Sequence, residues 1–432
     1  MSENPLDSKE LIYKWNEIGV QPKPSHRIMV TDESLRDGLQ SPSITQPDIQ
    51  DKVYLLYLMR DLQIDAADLG YCGAGEHFQK HVTILTREIV NQKMDIQPQS
   101  AARSVIADIA PIVEASQEVG TPIEACVFLG TSPIRQYAEG WDLDFLLRQT
   151  EESVQYAISN GLPVMFVTED TTRAHPDTLR QVYTTAIRSG AQRICASDTV
   201  GHATPDGVRA LITFLKELID EVNPEVGIDW HGHRDRGMDI VNTLVAIEAG
   251  ADRVHACGLG IGERSGNTPM ELLLVNLNLL GWAERDLTRL PEYCGVISDK
   301  CGAPIPFNYP IVGADSFRTS TGVHAAAVVK AMEKKDQWLA DRIYSGVPAS
   351  MVGRDQGIEI GPMSGEHNVR HYLRHRGIEE EPVYIDKILA AAKRAKKLLS
   401  EEDVMRMVTV MRERLKGGKE IKETDLEEAI QR

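Results

Sequence analysis

Cysteines and aromatic residues are scarce in this sequence, and long apolar runs are absent from it. The six cysteines show no C-x-x-C spacing, which indicates reduced, buried thiols and excludes a disulfide framework. No apolar stretch approaches the roughly 20 residues that a transmembrane helix needs. Residues 1–16 carry several charges and no apolar core, so they do not form a signal peptide. We therefore expect a soluble, cytoplasmic protein.

The sequence also lacks an excess of basic residues. It contains 47 lysines and arginines against 64 acidic residues, which gives a formal net charge of −17. Nucleic acids and anionic membranes bind basic surfaces, so this balance excludes a general binder of either. Ordinary globular composition, with 42% hydrophobic and 26% charged residues, also excludes disorder and low complexity. The partners that remain are small molecules, including anionic ones held in a local basic pocket.

Short apolar runs rich in Val, Ile and Ala recur along the chain, and an amphipathic stretch follows each of them. Helical spacing of apolar residues is clearest in segments 49–62, 106–119 and 240–249. Eight strand-then-helix units predict an α/β fold that closes into a (β/α)8 TIM barrel. An open doubly wound sheet is the alternative, but the count of eight and the lack of G-x-G-x-x-G after the first strand favour the barrel. The predicted strands are 27–31, 65–69, 95–100, 122–129, 163–168, 192–197, 226–230 and 253–257.

The strand-helix rhythm stops near residue 285, and the chain then becomes rich in proline and glycine before it turns helical. Residues 400–403 read as a capping box that opens one of these late helices. A helical tail of this kind usually packs on something, so we expect a homodimer or a higher homo-oligomer. The predicted domains are an N-terminal extension 1–25, the barrel 26–286, a post-barrel subdomain 287–365 and a mostly helical C-terminal region 366–432.

Polar residues follow every predicted strand, which is where TIM barrels carry their active sites. His231-x-His233 ends strand seven, and residues i and i+2 of a strand point to the same side. Alone, this pair is typical of two surface histidines, or of one histidine whose hydrogen bonds are satisfied in the core. Asp37 follows strand one, however, and lies nearby around the closed ring. Imidazole and carboxylate together suit a divalent cation, so the three residues predict a metal site with open positions for substrate.

Other strand-end residues are candidates for substrate contacts. Arg36 is predicted to donate to an oxygen that develops negative charge, and its alternative is a structural ion pair with Glu169 or Asp68. Thr199 either donates to a substrate carboxylate or stabilises a turn. Glu169 is a general base or an orienting group.

The last barrel strand leads into a glycine-rich loop, residues 260–267. Its glycines allow backbone N–H groups to approach a ligand closely, although a tight turn is the alternative. Asn267, the last residue of the loop, is predicted to lie beside the metal, directly or through water.

Three motifs carry a resemblance to a known family. Residues 34–40 read SLRDGLQ, residues 231–237 read HGHRDRG, and residues 260–267 read GIGERSGN. Together they resemble the DRE-TIM metallolyase superfamily, and most closely its Claisen-condensing branch of 2-isopropylmalate, homocitrate and citramalate synthases. The resemblance extends more loosely through 320–324 and 361–365 into the post-barrel subdomain of these synthases.

This resemblance implies an acyltransferase of amino-acid biosynthesis that condenses acetyl-CoA with a 2-oxo acid and hydrolyses the thioester. It implies that Asp37, His231 and His233 hold a divalent metal (Mg, Mn, Zn or Co) and that Arg36 polarises the keto oxygen of the acid. The residues that it offers for binding the acid are Thr199, Arg103 and Ser132. The residues that it offers for acid and base steps are Glu169, His324 and Tyr344, of which the last two often reach over a partner's barrel.

Departures from the synthase pattern leave alternatives open. Leu39 stands where many synthases have Glu, and the sequence with leucine here is more like that of 3-hydroxy-3-methylglutaryl-CoA lyase. A lyase or aldolase that cleaves a C–C bond at the same metal is therefore the second candidate. The strand-eight loop lacks the cysteine of that lyase. A non-catalytic barrel is a third reading. His324 could simply cap a helix, and Tyr344 could be a packing residue.

Overall fold

The computed structural model describes residues 11–18, 24 and 26–426, so most of the predicted N-terminal extension lies outside the described residues. The described chain divides into two compact units. One spans Asn16–Ile305, and the other combines the chain from Pro306 onward with residues 11–15.

The first unit is a closed barrel of eight parallel strands in sequential order, so β1 pairs with both β2 and β8. The predicted barrel is confirmed, and each predicted run overlaps one strand. The third strand continues to Arg103, beyond its predicted end, because residues 101–103 still pair with β4. The strands are Met29–Asp32 (β1), Ala66–Asp68 (β2), Gln97–Arg103 (β3), Glu124–Gly130 (β4), Val164–Glu169 (β5), Arg193–Asp198 (β6), Gly227–Gly232 (β7) and Arg253–Ala256 (β8).

Both faces of these strands are buried, which explains why they read as continuous apolar runs. Cys126 and Met165 are aligned between β4 and β5 and line the barrel interior. Their neighbours in sequence, Val127 and Phe166, are also aligned and are fully buried on the opposite face, which packs under the helices. The barrel interior is therefore filled with side chains below its mouth.

Helices alternate with the strands and continue through the second unit. No helix of the described residues combines the length and the apolarity that crossing a membrane requires. The helices are Ile49–Asp61 (α1), Glu76–Asn91 (α2), Ile106–Val119 (α3), Pro133–Glu139 (α4), Leu143–Ser159 (α5), Pro176–Arg188 (α6), Pro205–Val222 (α7), Asp239–Ala249 (α8), Met270–Leu279 (α9), Leu290–Cys301 (α10), Gly322–Glu333 (α11), Gln337–Arg342 (α12), Glu366–His375 (α13), Pro382–Arg394 (α14) and Glu401–Lys416 (α15).

The barrel unit extends past the predicted boundary at residue 286. Helix α10 packs on α1, and the hydroxyl of its Tyr293 donates a hydrogen bond to Asp32 at the end of β1. Because these contacts tie α10 to the first strand, the compact unit ends only at Ile305.

The second unit is mostly helical, as predicted. Its main apolar cluster combines side chains of α13, α14 and α15, among them Val369, Ile388 and Met407, which are fully buried. The predicted capping box is present, because Ser400 N donates to Asp403 Oδ2 at 2.9 Å and Asp403 N donates to Ser400 Oγ at 3.1 Å. The predicted division of this unit at residue 365 remains a prediction. Two short strands, Arg318–Thr319 (β9) and Gly357–Ile358 (β10), pair beside α11.

Candidate active site

The chain turns sharply after β1 and thereby brings Asp37 toward the last strand. The backbone N–H groups of Arg36 and Gly38 both donate to Glu33 O, at 3.1 and 3.0 Å. A Cβ on Gly38 would lie 2.9 Å from the Ile261 side chain. Glycine at this position therefore lets the turn approach the loop that follows β8.

His231 and His233, at the end of β7, project toward the same turn. His231 is the penultimate residue of β7, and the His233 backbone bridges to Asn267 in the glycine-rich loop after β8. That loop folds tightly, because a Cβ on Gly266 would lie only 1.9 Å from Gly260 O. The geometry thus gathers residues from β1, β7 and β8 at one point of the barrel mouth.

Three ligand atoms face one another at this point. Asp37 Oδ2 lies 3.4 Å from both His231 Nε2 and His233 Nε2, and the two nitrogens are 3.1 Å apart. All three residues are buried. Ligands about 2.0–2.2 Å from one cation, at angles between octahedral and tetrahedral, are roughly 2.9–3.5 Å apart. The predicted ligand set therefore has the spacing of a coordination polyhedron.

Unpartnered acceptors support the same interpretation. Asp37 Oδ2 and Asn267 Oδ1 are buried and accept no hydrogen bond from any described residue. Asn267 Nδ2 donates to Ile261 O at 3.1 Å, which fixes the amide. A buried polar atom without a partner costs about 1–3 kcal/mol. A cation with its bound water would satisfy these oxygens, so the residues fit a divalent metal.

The electrostatics of the site favour positive charge. Burial opposes the imidazolium of His231, but the carboxylates of Glu33 and Asp37 outweigh burial and raise its pKa to about 10. Burial and the neighbouring His231 lower the pKa of His233 to about 4. The pKa of Asp37 is lowered, because Arg36 and the histidines outweigh the opposing effect of burial. A divalent cation would bind here in exchange for protons.

A second group, Glu33, His231 and His255, was not predicted. Glu33 Oε2 lies 3.3 Å from His231 Nδ1, and Glu33 Oε1 lies 2.5 Å from His255 Nδ1. The shorter distance is less than the spacing of two ligands on one cation, and Arg36 also donates to Glu33. Glu33 therefore orients the imidazole of His231, as carboxylates do for metal-binding histidines. Arg253 and His255 are two residues apart on β8 and therefore point to the same side. This spacing was the only sequence signal for the contact of His255 with Glu33.

Arg36 is held by three carboxylates at the rim of the cavity. Its Nε donates to Asp68 Oδ2 at 2.8 Å, its Nη2 donates to Glu33, and its Nη1 lies 3.6 Å from Asp37. The ion pair with Asp68 that was considered as an alternative is thus present. Arg36 nevertheless lines the cavity, so the pair also fixes the guanidinium beside the metal-ligand group. These five residues, Glu33, Arg36, Asp37, His231 and His233, are the mouth cluster.

The barrel interior below the mouth holds another set of charges, the floor cluster (Glu124, Arg193, Asp229 and Arg253). Asp229 accepts hydrogen bonds from Nε of Arg193 and Nε of Arg253, both at 2.5 Å, and Arg253 Nη2 donates to Glu124 at 2.7 Å. Burial opposes ionisation of Asp229, but the two guanidinium groups outweigh burial and lower its pKa. His255 Nε2 lies 2.8 Å from Asp229 Oδ2, so His255 connects the two clusters.

Thr199 and Glu169 both line the cavity above these clusters. Thr199 Oγ1 accepts a hydrogen bond from Asp170 N at 2.8 Å, which leaves its own hydroxyl hydrogen for a ligand. Burial raises the pKa of Glu169 despite the nearby Arg135. A carboxyl group with a raised pKa beside a cavity is suited to proton transfer.

Arg103 and Ser132 are not brought to the cavity. The Arg103 side chain is 62% exposed, and it donates to Asp108 Oδ2 and Oδ1 at 2.7 and 2.9 Å. Ser132 is buried as the N-cap of α4, where its hydroxyl accepts from Arg135 N at 3.4 Å. Both residues serve local structure, because each is engaged by the helix that follows its strand.

His324 and Tyr344 lie in the second unit and contact each other. Their rings stack with centroids 4.1 Å apart and planes inclined by 29°. Both side chains are exposed to solvent. Their predicted acid and base roles remain predictions.

The cavity at the barrel mouth has two unlike sides. It encloses about 890 Å³, including the solvent at its open end. Strands β1, β7 and β8 and their loops supply a polar side, with the mouth cluster and His255. Strands β3 to β6 supply an apolar side made of Ala101, Cys126, Phe128, Met165, Val167 and Cys195.

Comparison with known proteins agrees with this geometry. The model of the HMGL-like family matches residues 27–296. The chain belongs to this family. A probable 2-isopropylmalate synthase of Methanopyrus kandleri is 31% identical over 85% of this chain and 69% of its own length. A homocitrate synthase of Sulfolobus acidocaldarius is 29% identical over 85% of this chain and 75% of its own length.

Solved structures support the fold. A hydroxymethylglutaryl-CoA lyase from Pseudomonas aeruginosa matches with a TM-score of 0.53 and 19% identity, over 65% of this chain and 93% of that structure. At this identity the likeness concerns the fold alone. The resemblance to the condensing branch of the DRE-TIM superfamily is confirmed by the family match together with the relatives named as synthases.

Proposed function

We propose that this protein is a metal-dependent acyltransferase that condenses acetyl-CoA with a 2-oxo acid and hydrolyses the resulting thioester. The observation that carries the proposal is the triangle of Asp37, His231 and His233, with ligand atoms 3.1–3.4 Å apart, beside Arg36 at an open cavity. The relatives named as 2-isopropylmalate and homocitrate synthases support this activity rather than a lyase.

The metal would be held by Asp37, His231 and His233, with Asn267 beside it directly or through water. When bound, a divalent cation supplies a Lewis acid that polarises the keto group of the chelated acid. The mixed nitrogen and oxygen ligand set tolerates Mg, Mn, Zn or Co.

Arg36 then stabilises negative charge on the keto oxygen as the new C–C bond forms. Its guanidinium is already oriented by Asp68 and Glu33, so it need not reorganise during the reaction. The Thr199 hydroxyl, whose oxygen is engaged by Asp170 N, donates to the carboxylate of the oxo acid.

Proton transfer from the acetyl methyl group falls to Glu169, His324 or Tyr344. Glu169 lines the cavity of its own chain, whereas His324 and Tyr344 belong to the second unit and would act on the barrel of a partner. A cytoplasmic homodimer or higher homo-oligomer, serving amino-acid biosynthesis, is therefore part of the proposal.

The test is the release of free thiol from acetyl-CoA by metal-loaded protein with a panel of 2-oxo acids. Thiol release that requires both an oxo acid and the metal is the expected result. Well-folded, metal-loaded protein that releases no thiol with any acid in the panel contradicts the proposal.

A lyase or aldolase that cleaves a C–C bond at the same site is the second candidate. It is favoured by Leu39, a buried residue of the turn after β1, where many synthases have Glu. Cleavage of 3-hydroxy-3-methylglutaryl-CoA or of a 4-hydroxy-2-oxo acid, without any condensation, would select this candidate.

A further inference from the structure

The apolar side of the cavity is built from two rows of aligned residues. Ala101, Cys126 and Met165 are neighbours in register on β3, β4 and β5. Phe128, Val167 and Cys195 form the next row on β4, β5 and β6. The β3 residue in register with Phe128 is Arg103, whose guanidinium is bound by Asp108. Residues in register on parallel strands point to the same side, and all six line the cavity.

The deep end of this apolar side is formed by sulfur-containing side chains. Cys126, Met165 and Cys195 pack together as a buried cluster, with Val167 against them. Burial raises the pKa of both thiols well above its usual range, so Cys126 and Cys195 are neutral. They behave as small apolar residues.

Two polar side chains near this side, Tyr71 and Arg103, are engaged by Asp108, and Arg253 Nη2 donates to Met165 Sδ at 3.3 Å. The Tyr71 hydroxyl donates to Asp108, and the Tyr71 ring meets Phe128 edge to face with centroids 6.3 Å apart. Arg103 is engaged by the same carboxylate. The ring of Tyr71, and not its hydroxyl group, therefore faces the cavity, and the Arg103 guanidinium is bound to Asp108.

No described residue that lines the cavity offers a free cation to the apolar side, and Arg135, near Glu169, stands outside this lining. Among the described residues that line the cavity, Arg36 is the only arginine or lysine, and it is already bound to Asp68 and Glu33. The histidines of the cavity lie on the opposite, polar side. Glu169 and Glu263 add negative charge to the rim.

A second carboxylate on the substrate would therefore be buried against apolar side chains without a partner, which is strongly unfavourable. We infer that the side chain of the oxo acid lies on these two rows, and that the substrate is a 2-oxo monocarboxylic acid with an aliphatic side chain rather than a 2-oxo dicarboxylic acid. This inference rests on the proposed condensing activity and narrows its substrate class.

The test compares 2-oxopentanoate with 2-oxoglutarate, which differ only in a terminal methyl group against a carboxylate. With metal-loaded protein and acetyl-CoA, we expect kcat/KM for thiol release to be at least about a hundredfold higher for 2-oxopentanoate, because only 2-oxoglutarate buries an unpaired charge. Calorimetric titration of both acids into the metal-loaded protein, without acetyl-CoA, should give the same order of affinity.

The two possible failures are distinct. Equal or better use of 2-oxoglutarate overturns the inference and leaves the proposed condensation intact. Absence of thiol release with every acid overturns the proposed condensation and the inference with it.

A charge placed in the apolar wall sharpens the test. Val167 is only half-buried, so Val167→Lys can be accommodated, and Val167→Met is a control of similar length without charge. We expect Val167→Lys to raise the preference for 2-oxoglutarate over 2-oxopentanoate at least about tenfold, because it supplies the missing counter-charge, and Val167→Met to keep the original order.

An unchanged preference in folded Val167→Lys contradicts the inference. If circular dichroism shows that this variant is unfolded, the half-buried neighbour in register provides a second pair, Phe128→Arg with Phe128→Leu as its control. We expect Phe128→Arg to raise the preference for 2-oxoglutarate at least about tenfold and Phe128→Leu to keep the original order. An unchanged preference in folded Phe128→Arg contradicts the inference.

Discussion

The mouth cluster and the floor cluster are both buried and both charged, yet they are built differently. In the floor cluster, carboxylates and guanidinium groups contact one another at 2.5–2.7 Å. In the mouth cluster, the three ligand atoms stand 3.1–3.4 Å apart, and one of them, Asp37 Oδ2, accepts no hydrogen bond from a described residue. Burial of charge alone therefore does not mark a functional site. The mark is a group of metal-ligand atoms held apart at the spacing that one shared cation requires.

The largest expected effect follows from removing one ligand of the mouth cluster. His233→Ala should abolish tight metal binding and lower activity by at least about a thousandfold, because it removes one of the three predicted protein ligands of a catalytic cation. Metal content after dialysis, competition with a chelator and thiol release measure this effect. His202→Ala, at an exposed histidine, is the matched control. Full metal occupancy in His233→Ala would contradict the assignment.

Removing a charge from the floor cluster should instead affect folding. Asp229→Ala leaves Arg193 and Arg253 buried without their shared carboxylate, and loss of one partner of a buried ion pair costs about 3–5 kcal/mol. Urea unfolding measures this loss in free energy of unfolding. Asp220→Ala, at an exposed aspartate of α7, should change stability by no more than about 0.5 kcal/mol. Equal stability of Asp229→Ala and Asp220→Ala would contradict a structural role of the floor cluster.

Glu33 is the member of the mouth cluster that contacts His255, the residue connecting the two clusters, and its change should have an intermediate effect. Glu33→Gln weakens the acceptor that orients His231, and removal of such a partner lowers metal affinity by about 10–100-fold. Isothermal titration with the metal measures the change, and Glu217→Gln, at an exposed position of α7, is the control. Unchanged metal affinity would show that Glu33 does not act through His231.

The smallest effect is expected at Ser132. Ser132→Ala removes the side-chain cap of α4 and should lower the free energy of unfolding by about 1 kcal/mol. The KM for the oxo acid should stay unchanged, because Ser132 does not line the cavity. A clear rise in KM, with normal stability, would restore the role in substrate binding that the sequence predicted.

The fold was predictable because each strand is buried on both faces and leaves a local pattern. Runs of Val, Ile and Ala mark the eight strands, and their number indicates a closed ring. The boundary after the barrel was not predictable, since it depends on the contact of Tyr293 with Asp32, and sequence gives no signal for a hydrogen bond between such distant residues.

The candidate site was predictable where residues are adjacent in the chain or lie at known strand ends. His231 lies in β7 and His233 directly follows its end, and Asp37 follows the first strand, so barrel closure brings them together. The contact of Glu33 with His255 and the engagement of Arg103 by Asp108 depend on side-chain conformation. Strand periodicity does not determine that conformation.

β1 pairs with β8, so the barrel closes where its first strand meets its last. Asp37 follows β1, and Asn267 follows β8. The proposed ligand set is therefore incomplete during synthesis until residues beyond the eighth strand have been made. The proposed metal would then bind only after the barrel has closed, and a bound ion would link residues that follow β1 and β8.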